Sequence, residues 1–259
     1  RGSWRLSTSK NSYLSSNKTD LLNPLYFGSK IEPYINYDGD DYVFSNSGVS
    51  ISQIISRDSR NHPEFPTSGS SMNWTTTLAG SFLGGDEDYH KHIFDFKWFS
   101  PLVRKFVMHQ SIKMGVLKTI PVNSGERSVV PPSARFVMGG SGMPYGEMLR
   151  GYAENSVGPD GYYNAGDIML KYSLEFRLSL SENPTIYALT FAEAGNVWED
   201  FNSVDPFELK RSAGVGVRLF MPMLGMLGYD MGYGFDNVGN FENDGSRGWE
   251  HHLIFGMPY

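Results

Sequence analysis

The sequence predicts an all-β fold, a transmembrane antiparallel β-barrel, from three observations. Apolar and polar residues alternate with a period of two rather than 3.6, which marks strands and excludes amphipathic helices. The alternating runs are about ten residues or longer, whereas globular strands average about five or six and a tilted membrane-spanning strand needs about nine to eleven. Hydrophobic residues make up 40% of the 259-residue chain but charged residues only 19%, with 29 glycines and 14% aromatics. A wall that faces lipid on one side and a polar lumen on the other averages to such values.

In chain order, the weak run Trp4–Leu14 comes first, followed by a second weak run at Leu25–Ile35. Clearer runs follow at Ser47–Arg57, Ser70–Leu83, Tyr89–Phe99 and Arg104–Thr119. The run Ile168–Leu180 places Leu170, Tyr172, Leu174 and Phe176 on one face, opposite Lys171, Ser173, Glu175 and Arg177. Thr185–Trp198 places Tyr187, Leu189 and Phe191 together, and these read as lipid-facing. Lys210–Phe220 sets Val215 and Val217 against Gly214, Gly216 and Arg218. Met226–Asp236 sets Tyr229, Met231 and Tyr233 against Gly228, Asp230, Gly232 and Gly234, and Trp249–Met257 closes the series. The count is roughly eleven strands. Between them lie turn clusters rich in Gly, Asn, Asp and Pro, as at Asp38–Asp41, Gly84–Asp88, Ser181–Pro184 and Asn237–Ser246.

Hydrocarbon supplies no hydrogen bonds, so a spanning sheet must close on itself, and bacterial single-chain barrels use even strand numbers. Eleven is odd, and Arg1-Gly2-Ser3-Trp4 reads as the middle of something. Residues 1–259 are therefore expected to be the C-terminal portion of one barrel, with strands missing upstream. The longest apolar tract, Leu219–Tyr229, is broken by Pro222, Gly225 and Gly228 and is too short for a spanning helix. There are no cysteines, which excludes disulfides and thiolate metal sites. A net charge of −6 gives no reason to expect a nucleic-acid partner.

One segment, Ile120–Asp167, lacks the strand rhythm and carries Pro121, Pro131, Pro132, Pro144 and Pro159. So long a stretch without periodicity tends to be functional or disordered. It holds Gly139-Gly140-Ser141-Gly142 and then Leu149-Arg150-Gly151-Tyr152. At this tract the chain resembles the BamA family of outer-membrane protein assembly factors, whose long extracellular loop carries an R-G-(F/Y) tip after a glycine-rich lead-in. Other tracts resemble the family in order: Arg57-Asp58-Ser59-Arg60 with Pro66-Thr67-Ser68-Gly69, Ser173–Arg177, Phe191–Trp198, Lys210–Arg218 and Tyr233–Asp236. The wording is nearest to versions from the Bacteroidota. Two positions depart from the usual pattern: Leu149 replaces Val or Ile, and Glu193 replaces Asp.

The resemblance implies a family-type barrel of sixteen strands, preceded by POTRA domains that are absent from this chain. It implies that loop 120–167 folds into the lumen and that Arg150 clamps Glu175 and Glu193. Glu175 lies on the polar face of its run. Glu193 shares parity with Tyr187, Leu189 and Phe191, so a bulge near Gly195 or a register change is expected to turn it inward. Tyr152 has Gly214 and Gly216 as expected packing partners, or else is an exposed loop aromatic. A terminal aromatic is the family's assembly signal, which points to Phe255, Gly256 and Tyr259, although Pro258 lacks the donor of a paired strand. The implied function is insertion of nascent outer-membrane proteins through a weak seam in the cell outer membrane. The implied partners are accessory assembly lipoproteins, outer-membrane lipid and lipopolysaccharide, with no enzyme chemistry and no cofactor.

Three other classes compete, besides a soluble all-β module, against which the strand length argues. A two-partner secretion pore or a patatin-fused barrel shares the arginine loop and differs in its upstream domains. A passive porin predicts a charged constriction without the R-G-(F/Y) tip. A hydrolase needs Ser and His joined by a motif, which is missing. His90 and His92 share a face and His251 and His252 oppose each other, with no convergent metal set evident. Trp74, Trp98, Trp198 and Trp249 read as girdle residues.

Overall fold

The computed structural model describes residues 1–22, 27, 29–121, 128–143, 145–159, 165–223, 225–238 and 248–256. The strands are β1 (Gly2–Ser15), β2 (Asn36–Tyr37), β3 (Tyr42–Asp58), β4 (Gly69–Ala79), β5 (Tyr89–Pro101), β6 (Phe106–Thr119), β7 (Ile168–Glu182), β8 (Thr185–Trp198), β9 (Lys210–Met221), β10 (Gly225–Gly234) and β11 (Trp249–Gly256). They form one sheet in the order β1-β3-β4-β5-β6-β7-β8-β9-β10-β11, with β2 on β3. Apart from β2, strands run from 8 residues in β11 to 17 in β3. Among the described residues, no helix is long and apolar enough to cross a membrane.

The chain divides into two compact units. The first comprises residues 1–55, 74–93 and 115–135. In it β1 pairs antiparallel with β3, from Gly2↔Ile55 to Ser15↔Tyr42. Leu21, Ile31, Phe44 and Val129 form its core, with Tyr13, Leu22, Phe27, Ile35 and Tyr42 packed around them. A one-turn helix, α1 (Lys18–Leu21), carries Leu21 into this core, and the Asn17 side chain caps it by accepting the Thr19 N–H at 3.0 Å.

The strand expected over Leu25–Ile35 does not form where that span is described. Ser29–Tyr34 is a 3-10 helix containing Pro33, and only Asn36–Tyr37 pairs with β3. Proline cannot donate to a ladder, and the tight turn buries Ile31 instead of alternating it. Leu25 itself lies outside the described residues. The run ending at Leu83 also stops early: β4 ends at Ala79, and Ser81–Leu83 is a 3-10 turn. Most of the Asn237–Ser246 turn, and Met257–Tyr259, lie outside the described residues.

The second unit comprises residues 56–73, 94–114 and 136–259. Here β7 to β11 pair in sequence, all antiparallel. On β7, and at Ser212, Arg218 and Asp230 on β9 and β10, the buried face is polar. On β7, Lys171, Ser173, Glu175 and Arg177 are buried, while Tyr172 and Phe176 are more than 40% exposed. Ser212 and Arg218 on β9 and Asp230 on β10 are buried, whereas Val215, Val217 and Tyr229 face outward. This inversion of the globular pattern is what a barrel with a polar interior requires.

Strand β8 corrects the sequence reading. Tyr187, Leu189 and Phe191 are buried with Met226, and Phe65 and Phe220 pack on them. After Ile186, the outward positions of β8 are small or short: Ala188, Thr190, Ala192 and Ala194. Glu193 therefore points inward by simple alternation, with no bulge near Gly195. The register shift in this hairpin falls at Ser179/Ser181 on β7. Size misled the reading, because the three large side chains fill the interior. Trp198 is likewise buried, at 5% exposure, whereas Trp74, Trp98 and Trp249 are exposed.

Candidate functional site

The site is built by the segment that carries no strand pattern, from residue 136 onward. Isolated bridges order it: Phe136↔Gly166, Met138↔Glu147, Met138↔Val157 and Gly140↔Leu149. The glycine-rich lead-in turns around a carboxylate. Glu154 accepts the Ser141 N–H at 2.6 Å and the Gly142 N–H at 3.1 Å, and also the Ser141 hydroxyl. Successive backbone N–H groups in such a turn make a concavity for an anion. Here the anion is internal and fixes the base of the tip. Leu149, next to the tip, is fully buried, and its N–H donates to the Gly140 carbonyl at 3.2 Å.

Arg150 is 1% exposed. One guanidinium nitrogen donates to Glu175 Oε1 and Glu193 Oε1, each at 2.7 Å. The other terminal nitrogen donates to Asp230 Oδ2 at 3.1 Å. The Arg150 backbone N–H donates to Glu193 Oε2 at 2.9 Å, and the guanidinium carbon lies 3.7 Å from the Phe191 ring centroid. A planar, always-charged fork suits this convergence of three carboxylates on an aromatic face. Together, the carboxylates hold the Arg150 pKa well above its ordinary value against the opposing cost of burial.

Each carboxylate also has a wall cation beside it, Lys171 being shared with Glu147 at 3.6 Å. Glu175 accepts from Arg177 Nε at 2.8 Å and stands 3.3 Å from His109 Nδ1. Glu193 lies 3.3 Å from Lys171 Nζ and accepts the Ser173 hydroxyl at 3.1 Å. Asp230 accepts from Arg218 at 2.6 Å.

The next two tip residues seat on β10. Gly151 has φ +85 and lies so close to β10 that a Cβ there would meet Gly234 N at 2.9 Å. A Cβ on Gly232 would in turn meet Gly151 N at 2.6 Å, so both backbones need glycine for this approach. The Gly151 N–H donates to His252 Nε2 on β11 at 2.9 Å. Tyr152 is buried and donates its hydroxyl to the Arg211 carbonyl at 2.6 Å; the Asp236 N–H donates to the same hydroxyl at 3.3 Å. Burial pushes the Tyr152 phenol up to about 12. Its ring lies against Gly234; at Gly214 and Gly216, the partners expected from sequence, the nearest side chains are Phe191 and Asp230.

The structure thus brings Glu175 and Glu193 to Arg150 and adds Asp230, Arg218, Arg177, Lys171 and His252, which the motif reading did not single out. The alternation already held a signal for two of them. Asp230 interrupts the glycine face of β10, and Arg218 ends the glycine face of β9. Phe255 and Gly256 pair with Leu227 and Met226 in the β10–β11 ladder, and Phe255 faces outward. Tyr259 lies outside the described residues. On β5, His90 Nδ1 and His92 Nε2 are 3.2 Å apart, and Thr76 Oγ1 lies 3.1 Å from His92 Nδ1.

A family model described as the Omp85 superfamily domain matches residues 1–251. The chain belongs to the Omp85 superfamily. Among curated Omp85-type relatives, it is 26% identical over 236 residues to the outer membrane protein assembly factor BamA of Nitratidesulfovibrio vulgaris, covering 85% of this chain and 28% of that protein. It is 31% identical over 159 residues to a SAM50-like protein of Schizosaccharomyces pombe, covering 57% of this chain and 31% of that one. The chain therefore spans about a third or less of the length of either relative. Among solved structures it is similar to BamA from Haemophilus ducreyi lacking POTRA domains 1–3, with a TM-score of 0.68 and 20% identity, over 97% of this chain and 50% of that one. At that identity the likeness is one of fold: this Omp85 sheet has the fold of the BamA transmembrane β-barrel.

Proposed function

We propose that this chain is part of an outer-membrane barrel that assembles and inserts other β-barrel proteins. The observation that carries the reading is the burial of Arg150 among Glu175, Glu193 and Asp230. Loop 120–167 enters from the extracellular side and docks in the lumen, where its Leu149-Arg150-Gly151-Tyr152 tip braces the wall. The names of the two curated relatives, an assembly factor and a SAM50-like protein, support the same function.

The mechanism needs no covalent step. A strand edge left weakly paired at a seam offers N–H and C=O groups to an incoming strand. The client's own folding supplies the free energy, and the brace keeps the remaining wall in register while the seam moves. The clients are nascent outer-membrane proteins. Accessory lipoproteins and the surrounding lipid and lipopolysaccharide act with the full-length protein.

The test uses cells that depend on the full-length protein. Arg150→Ala and Arg150→Glu are expected to lower the yield of folded outer-membrane proteins, the second more than the first. Normal client yield from both variants, with normal levels of the folded barrel itself, sinks the proposal.

A further inference from the structure

Resting on the reading of the loop as a lumenal brace, we infer that His252 is a positioning residue that ties the loop tip to β11. The Gly151 N–H donates to His252 Nε2 at 2.9 Å in a buried contact, and His252 is 5% exposed. A ring nitrogen that accepts carries no proton, so the imidazole is neutral and holds its proton on Nδ1. His252 stands directly across the ladder from Asp230, the carboxylate that binds Arg150. Consecutive tip residues are thus held by cross-strand neighbours, Arg150 by Asp230 on β10 and Gly151 by His252 on β11.

The plain alternative is a wall histidine that only fills space. Two observations speak against it. The Gly151 amide is seated against the Gly232 and Gly234 backbones, where a buried donor needs a partner. Along β11, Trp249, Leu253 and Phe255 are exposed while His252 and Ile254 are buried, so of the two buried side chains of this strand one is a polar ring, at the position that faces the tip amide. In the sheet order β11 stands at one end and pairs with β10. A displacement of β11 from β10 must stretch the Gly151–His252 bond while leaving the Arg150 carboxylates on β7, β8 and β10 in place. The tip therefore registers the position of β11 separately from that of the wall, and client arrival at that strand is what such a contact can report.

The test uses the full-length protein with His252→Phe, which keeps a ring and removes the acceptor, and His252→Gln, which keeps an acceptor. Arg150→Ala is run beside them. Hydrogen exchange is followed on peptides covering residues 149–153, and assembly of a client barrel is followed in proteoliposomes. His252→Phe is expected to speed exchange of the tip amide by roughly three- to ten-fold, the effect of one lost hydrogen bond, and to slow client assembly. His252→Gln is expected to restore both. Should His252→Phe not fold, His252→Leu is read in its place against the same glutamine control. Unchanged tip exchange without the acceptor, or glutamine behaving like phenylalanine, overturns the tie. Faster exchange with normal client assembly overturns its role in assembly. Normal assembly by Arg150→Ala instead removes the brace reading while leaving the exchange result standing.

Discussion

The Arg150 guanidinium stacks on the Phe191 ring, 3.7 Å from carbon to centroid. A desolvated cation on an aromatic face contributes up to about 2 kcal/mol, and here the ring is also the floor on which the three-carboxylate cluster rests. Phe191→Leu keeps the site apolar and removes the face. It is expected to destabilise the barrel by about 1–2 kcal/mol in urea unfolding from bilayers, and by less in an Arg150→Ala background, where only the packing loss remains.

Removing the guanidinium itself leaves three carboxylates that still have wall cations. Arg150→Ala is therefore expected at the low end of the range for breaking a buried pair, about 3 kcal/mol. Arg150→Lys places a point charge where a fork bridged three groups and should recover only part of that loss. Equal stability of the lysine variant and the parent in the same unfolding assay counts against the three-way contact.

The seat on β10 has no spare volume. Gly232→Ala puts a methyl group at 2.6 Å from Gly151 N, and Gly151→Ala adds strain at φ +85. Each is expected to loosen the tip, at a cost of about 1–2 kcal/mol for the second. Limited proteolysis within residues 136–157 should reveal the loosening while heat-modified gel mobility of the barrel persists.

Tyr152 predicts an alkaline effect with a defined sign. Its phenol is raised from the ordinary 10.0 to about 12, first by burial. A raised folded-state pKa means that the folded form holds the proton more tightly. The contribution is fully present below about pH 10 and is lost as pH climbs toward about 12. Tyr152→Phe deletes the bond to the Arg211 carbonyl, at about 1 kcal/mol, and should flatten the stability profile across that window. A variant profile as steep as the parent's refutes the assignment.

The reversed facing of β8 is open to direct test. Leu189→Ala is expected to cost about 2–5 kcal/mol as a core deletion. Val217→Ala, on the outer face of β9, should cost far less. Similar losses at the two positions indicate that Leu189 does not face the interior.

How far the sequence alone reaches is clear from β7 and β8. On β7 charged and apolar residues alternate cleanly, so Glu175 and Arg177 could be placed inward from pattern and length. On β8 the inward set is Tyr187, Leu189, Phe191 and Glu193, and three of the four look like lipid-facing residues. Alternation gives two faces but not which is which when the interior holds an apolar layer of its own. The Arg150 motif was legible from the resemblance; Asp230, an acid set among glycines, carried a signal that the pattern alone did not single out. His252 was not, because its role depends on where a loop some hundred residues upstream comes to rest. The described part of the run expected over Leu25–Ile35 shows the opposite failure: Ser29–Tyr34 is a 3-10 helix, where alternation without a ladder donor at Pro33 did not yield a strand.

The wall cations beside these acids have a consequence for how the loop lets go. Arg177, Lys171 and Arg218 already contact Glu175, Glu193 and Asp230 from the wall while Arg150 is docked, so the tip can leave without taking those cations with it. Departure of the tip strands no anion in a dry interior, the event that makes most buried ion pairs so costly to break. The hold of the loop is thus a latch rather than a weld. The berth stays electrically intact when empty, ready for the same arginine to return.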